Sequence, residues 1–238
     1  MTDISTSQLG HRRFTRAVAV AGIAVLAMVL GNGTASAGVD NSASVVDRYG
    51  NRIEVLQGDT SYHTVPPLDG VPTSVEFFHD GYAAVNVAGP NAEKFVGTQL
   101  TVGYQIGYPI ALAGATIVLN TPNLDWAVGS NNNLGLAIPL DGKTLPDELG
   151  LDVGSFAELG GSIIPSQELD IDLEPGGITT VPFLKGQTFD GPTALVRMQG
   201  IHGYISGALG PVTIRPYAMA TTSSGDTVMT YGVPQRLN

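Results

Sequence analysis

The sequence predicts an all-β fold, and three observations carry the prediction. Its 31 glycines and 15 prolines are scattered between short runs rich in Val, Ile, Thr and Tyr, the composition of strands separated by turns. No apolar pattern of helical period holds for three turns among the runs between Val75 and Ile106. Finally, Glu168, Asp170, Asp172 and Glu174 alternate with Leu169, Ile171 and Leu173. Successive strand side chains point to opposite sides of a sheet, so this segment has one apolar face and one carboxylate face.

The chain opens on a different kind of segment. Arg12, Arg13 and Arg16 precede the apolar run Ala17 to Leu30, and Ala35-Ser36-Ala37 supplies small residues at a cleavage point. That order of basic, apolar and small regions predicts a secretory signal peptide over residues 1–37. The apolar run falls short of the ~20 residues of a confident membrane span. The mature chain would then begin at Gly38 and run for 201 residues.

Strand regions follow in order. Ala43 to Leu56 is expected as an opening strand pair turning at Arg48 to Arg52, with a Pro/Gly-rich connection through Pro72. Val75 to Phe78, Ala83 to Val87 and Gly97 to Ile106 are further candidates, with His79-Asp80-Gly81 and Ala88-Gly89-Pro90-Asn91 read as turns. Ile110 to Asn120 is small and apolar, Thr121-Pro122-Asn123 interrupts it, and Gly129 to Asn133 is a turn cluster. From Leu134 to Gly161, Asp141, Asp147, Glu148, Asp152 and Glu158 stand against Lys143 alone. A short helix near Pro146 to Leu149 or Ser155 to Leu159 is expected inside this loop. Structureless loops longer than ~12–15 residues are often functional or disordered. After the acidic ladder and Pro175-Gly176-Gly177 come Thr193 to Gln199, Gly203 to Ile205, Val212 to Ala220 and Val228 to Tyr231. The layout is a β domain in two sequence halves around one long excursion, residues 108–174.

Charge and cysteine usage narrow the functions. Removing residues 1–37 takes away three arginines and Asp3, leaving eight basic and 20 acidic residues, net −12. Nucleic acid is excluded as a partner, because binding it needs basic clusters that neutralise phosphates. A field of this sign favours cations. Cysteine is absent, so stability comes from packing or assembly without a disulfide framework. The mature chain contains no uninterrupted apolar run of spanning length, so a closed barrel is the one membrane structure open to it. The smallest such barrels need about eight strands, and one excursion supplies two. A pore would therefore be shared among subunits, with cyclic closure removing sheet edges and repeating each side chain as a ring.

Several stretches then point to a family. Phe77-Phe78-His79-Asp80-Gly81, Ala88-Gly89-Pro90, Gly103-Tyr104-Gln105-Ile106-Gly107-Tyr108-Pro109, Thr121-Pro122-Asn123, His202-Gly203, Arg215-Pro216-Tyr217-Ala218 and Ser224 to Pro234 occur in that order. Together they resemble the mycobacterial MspA-type porins, over nearly the whole mature chain. The resemblance implies a homo-octamer in the outer, mycolate-rich membrane of the cell envelope. In each subunit a β-sandwich rim, here 38–107 and 175–238, carries a long β-ribbon arm, here 108–174. The arms close into an oligomeric transmembrane β-barrel. Ions, cations preferentially, and small hydrophilic solutes pass through it, and membrane lipids surround it. No cofactor, metal or catalysis is implied.

The resemblance breaks at the constriction. An adjacent aspartate pair follows the Thr-Pro-Asn motif in the family, and the register places Ala127 and Val128 there. Asp125 lies nearby but out of register. The acidic tip loop, about 129–161, resembles an insertion whose Asp141, Asp147, Glu148 and Asp152 replace the pair or hang in solvent. Asp172 matches a vestibule acid of the family through the Asp-Leu that precedes a Gly-rich turn. Glu168, Asp170 and Glu174 join it by parity alone.

Blander readings stand beside these. The ladder is either a lumen wall or the solvated face of a sandwich strand, since both have period-2 polarity. A calcium loop of EF-hand type fails because Pro175 occupies the place of its glycine and Val181 that of its glutamate. His63, His79 and His202 have no partner at metal-ligand spacing, and no Gly-x-Ser-x-Gly, His-Glu-x-x-His or Walker-type loop occurs. His79 and His202 are expected to be structural, and Tyr104, Tyr108 and Tyr217 to be core or subunit contacts. Trp126 has two readings, a membrane-interface anchor or a residue packed under the inserted loop. The alternative from another class is a secreted acidic β-sandwich binding or adhesion protein.

Overall fold

The computed structural model describes residues 38–129 and 161–238. Among the described residues, thirteen strands and one 3₁₀ turn follow one another. They are β1 (Val39–Val46), β2 (Arg52–Val65), β3 (Val75–Ala88), β4 (Thr98–Tyr108), β5 (Ile110–Thr121), β6 (Leu124–Gly129) and β7 (Ser162–Ile164). Then come β8 (Gln167–Asp172), β9 (Gly177–Phe189), β10 (Thr193–Leu209), β11 (Thr213–Thr221), β12 (Thr227–Tyr231) and β13 (Gln235–Arg236). The short 3₁₀ turn Ala92–Lys94 links β3 to β4.

Two antiparallel sheets form. The eight-stranded sheet runs β1-β2-β3-β10-β5-β8, with β6 also on β10 and β7 on β6. The five-stranded sheet runs β12-β11-β4-β9, with β13 on β11. Between them lie Ile53, Val55, Phe77, Val85, Ile117, Leu119, Val196 and Ile201 from the larger sheet, and Leu100, Val102, Ile106, Val181, Phe183 and Ile214 from the smaller. Burying these side chains drives the sheets together. Gly203 lies opposite Phe77 in the β10–β3 ladder. A Cβ there would come within 2.2 Å of the Phe77 ring, so the missing side chain is what lets the ring lie flat across β10.

β10 organises the larger sheet. Along one side it pairs with β3 from Thr193 to Ile205; along the other, Thr193 to Arg197 pair with β6 and His202 to Leu209 with β5. β5 and β6 therefore follow one line, broken at Pro122-Asn123, where proline has no N–H for the ladder. β7 and β8 return along it, broken at Pro165-Ser166. The described arms of the 108–174 excursion are thus members of this sheet. The remainder of the excursion, with Asp141, Asp147, Glu148, Asp152 and the expected short helix, lies outside the described residues.

His79-Asp80-Gly81 is not a turn, and Val75 to Ala88 is one strand. Both neighbours change register there: β2 between Gly58 and Ser61, and β10 between Met198 and Ile201. Two bulges facing one short stretch bend the sheet without ending the strand. The Gly200 N–H donates to Asp80 Oδ1 at 2.6 Å.

Candidate functional site: an acidic face of the larger sheet

Strand parity settles which side chains leave the core. On β8, Leu169 and Ile171 pack against the core and Leu173 beyond them is buried, whereas Glu168, Asp170, Asp172 and Glu174 are exposed. Register extends their face across the sheet. Glu168 aligns with Asn120, His202, Phe78 and His63; Asp170 with Val118, Tyr204, Glu76 and Val65; Asp172 with Thr116 and Ser206. Three rows of side chains therefore cross the surface opposite the core.

The acids on this face are of two kinds. Glu76 and Asp69 are tied into it. Glu76 Oε1 lies 2.8 Å from His202 Nε2, and its Oε2 accepts from the Leu68 N–H at 3.1 Å. His202 also stacks on Phe78, with ring centroids 5.0 Å apart. Asp69 Oδ2 accepts from Tyr204 Oη at 2.6 Å and from Ser74 Oγ at 2.8 Å. The Tyr204 hydroxyl, with the Val71 N–H, holds the Asp69 carboxyl below its usual range. Glu168, Asp170, Asp172 and Glu174, by contrast, make no hydrogen bond or ion pair among the described residues. Their charge is directed at solvent and is uncompensated locally.

Asp125 occupies a different environment. It is half-buried on β6, aligned with Arg197 of β10 and Ile163 of β7. It shares the outward parity of the ladder but lies on the other side of the Pro122-Asn123 break. Ala127 is buried and Val128 packs on the core, so neither position contributes charge. The structure thus brings Glu168, Asp170 and Asp172 together and separates Asp125 from them.

Trp126 faces the core and not a surface; the inserted loop lies outside the described residues. Trp126 is 4% exposed, lies opposite Val196 and packs edge-on to Phe189 of the smaller sheet, with centroids 6.1 Å apart. β6 continues the parity of a core strand, and that parity directs the indole inward. Tyr104, Tyr108 and Tyr217 are buried, and the two structural histidines are hydrogen-bonded: His202 to Glu76, and His79 Nδ1 to Tyr104 Oη at 2.6 Å.

Glu76, Asp69 and Tyr204 were not singled out by sequence. They come from three segments with no shared motif, and only the alternation of Glu76 with Val75 and Phe77 hinted at an outward acid.

Comparison with known proteins places this face in context. The family model described as MspA matches residues 49–236. Porin MspC of Mycolicibacterium smegmatis (strain ATCC 700084 / mc(2)155) is 36% identical over 224 residues, covering 93% of this chain and 93% of its own. Porin MspB of the same strain is 35% identical over 213 residues, covering 89% and 90%. Porin MspA is 33% identical over 217 residues, covering 90% and 94%. With a family model spanning most of its length and relatives aligned nearly end to end, the chain belongs to the MspA family.

Proposed function

We propose that this chain is the exported subunit of a homo-oligomeric outer-membrane channel that lets ions, cations preferentially, and small hydrophilic solutes diffuse across the mycolate envelope. Relatives named porins over 93% and 90% of their own lengths support a channel in place of an enzyme. The single observation that carries the cation preference is the uncompensated face formed by Glu168, Asp170, Asp172 and Glu174.

The physics is additive. One exposed carboxylate ladder has a field screened over ~8 Å at physiological salt. Cyclic assembly repeats each acid at the same height, and low-dielectric walls focus the rings into the lumen. The octamer is the subunit number the family resemblance implies. In this reading residues 1–37 are the leader, 38–107 and 175–238 the rim, and 108–174 the arm. The tip loop, about 129–161, then supplies the narrow ring with Asp141, Asp147, Glu148 and Asp152, and Asp125 stands next in line.

Planar bilayer recording tests this reading. Under a salt gradient, the assembled protein is expected to give discrete conductance steps with a cation-selective reversal potential. Silence from correctly assembled oligomer would sink the channel and favour the secreted binding or adhesion protein, whose outer face would carry the same acids.

A further inference from the structure

Gly38, the residue after Ala35-Ser36-Ala37, is held from both sides by one aspartate. Its N–H donates to Asp59 Oδ1 at 3.1 Å, and its carbonyl accepts from the Asp59 N–H at 3.2 Å. Asp59 is the one non-glycine residue with positive φ among the described residues, at 52°. It reaches that conformation in the β2 bulge between Gly58 and Ser61, a backbone region Asp and Asn enter at low cost. Gly58 has to be glycine, because a Cβ there would come within 2.2 Å of the Gly38 carbonyl oxygen. The bulge thus turns Asp59 back onto the first residue of the sheet.

Acidic groups gather around this contact, and Arg197 is the basic group that acts on Asp59. Burial and the neighbouring Asp40 push the Asp59 carboxyl up, the Gly38 N–H and Arg197 opposing them. Asp40, exposed near the start of β1, accepts from the Thr60 N–H at 2.8 Å. Tyr82, also nearby, is buried and held in its neutral form. The Asp59 carboxylate thus meets the nitrogen of residue 38 as a neutral amide N–H, a weaker partner than a cation, with the charge of Asp40 close to Asp59.

We propose that Asp59, with Asp40 beside it, is the receiving site for the α-ammonium that processing creates on Gly38. The inference rests on the export reading, with a signal peptidase as the catalyst and water as co-reactant. Water adds across the Ala37–Gly38 peptide bond. The hydroxyl goes to the Ala37 carbonyl carbon, which leaves as a carboxylate. The Gly38 nitrogen keeps the bonding electron pair, takes up protons and becomes an ammonium. That cation then lies where the amide donor was, against Asp59 Oδ1. A cut one residue earlier would move it ~3.3 Å along the strand, out of the clamp. The site thus reads the position of the cut and adds a charge to the contact that already joins the start of β1, an edge strand, to β2.

The experiment uses exported, assembled protein. Mass spectrometry of the intact chain identifies the first residue. An intact leader would overturn the export reading, and a first residue other than Gly38 would overturn the clamp alone. The α-amino group is then reductively dimethylated with ¹³C-formaldehyde and a borane or cyanoborohydride reductant, which preserves its charge, and titrated by NMR. It is expected to titrate about one pH unit higher in wild type than in Asp59→Asn, whose side chain keeps the left-handed conformation and loses the charge. Equal titrations would refute the clamp. If Asp59→Asn fails to assemble, the wild-type value decides alone: about 9 supports the proposal, and the ordinary ~7.7–8.0 of an α-amino group overturns it.

Discussion

Tyr104 of β4 and His79 of β3 reach across the sandwich to form one hydrogen bond, 2.6 Å between Oη and Nδ1. Both side chains are buried, and the His79 ring stacks on Tyr62 with centroids 4.6 Å apart. The bond is a buried polar pin between two sheets joined mostly by apolar contact, with Asn41 of β1 donating to Thr230 of β12 at 3.3 Å as a second polar link. His79 Nε2 and Tyr62 Oη have no hydrogen-bond partner among the described residues, so the pin is only half satisfied there. Removing the hydroxyl in Tyr104→Phe leaves His79 with no polar partner at either nitrogen. The expected loss is about 1–3 kcal/mol, measured by chemical denaturation.

The same histidine makes stability depend on pH. Burial holds the His79 imidazole down to about 4, with Asp80 opposing, against an ordinary value of 6.5. In the window between those values the unfolded chain binds the extra proton, so stability falls as pH drops from about 6.5 to about 4. At 1.36 kcal/mol per pH unit the fall is on the order of 3 kcal/mol. Denaturation midpoints measured across this window should show a slope in wild type that is shallower in His79→Gln. Identical slopes would remove His79 from the account.

Neutralising the ladder should leave the fold intact and change the current. Glu168→Gln, Asp170→Asn and Asp172→Asn together alter exposed side chains without partners among the described residues. Stability should therefore move by no more than ~0.5 kcal/mol per site. Reversal potentials under a salt gradient should shift toward zero. An unchanged potential with a normal melting curve would turn the ladder into a solvated sandwich face.

Neutralising Asp141, Asp147, Glu148 and Asp152 together should change conductance more than the ladder does, because a ring at the narrowest point dominates the barrier. Current-voltage curves matching wild type would move the constriction elsewhere, with Asp125→Asn as the next variant to record.

Gly203→Ala tests the packing beneath the acidic face. The new methyl meets the Phe77 ring at 2.2 Å, and the ring is fully buried. Displacing it is expected to cost about 1–3 kcal/mol. A midpoint equal to wild type would show that the sandwich yields at this point.

How far the sequence reveals the molecule depends on whether the signal is local. Alternation from Glu168 to Glu174 defined a two-faced strand, and Leu169, Ile171 and the exposed acids occupy the expected sides. The runs Gly97 to Ile106 and Val212 to Ala220 likewise became, within a residue or two, β4 (Thr98–Tyr108) and β11 (Thr213–Thr221). His79-Asp80-Gly81 misled because Asp and Gly mark turns and bulges alike. The bulges belong to neighbouring strands more than 15 residues away on one side and more than 110 on the other. The tied half of the acidic face, Glu76, Asp69 and Tyr204, required the register of three strands. Trp126 was ambiguous for a related reason: Pro122 and Asn123 break the line, and parity across the break follows from pairing with β10.

The position of β8 carries a further consequence. Among the described residues it pairs with β5 alone, so no described strand occupies its other edge, whose N–H and C=O groups are a template for another strand. If two copies met edge to edge through β8 about a two-fold axis, Glu168, Asp170 and Asp172 of each would share one face at cross-strand distances of ~4.5–5.5 Å, where like charges repel. The acids therefore act before any ion arrives: they discourage a subunit from recognising its own kind face for face, and leave that edge for a strand of different character.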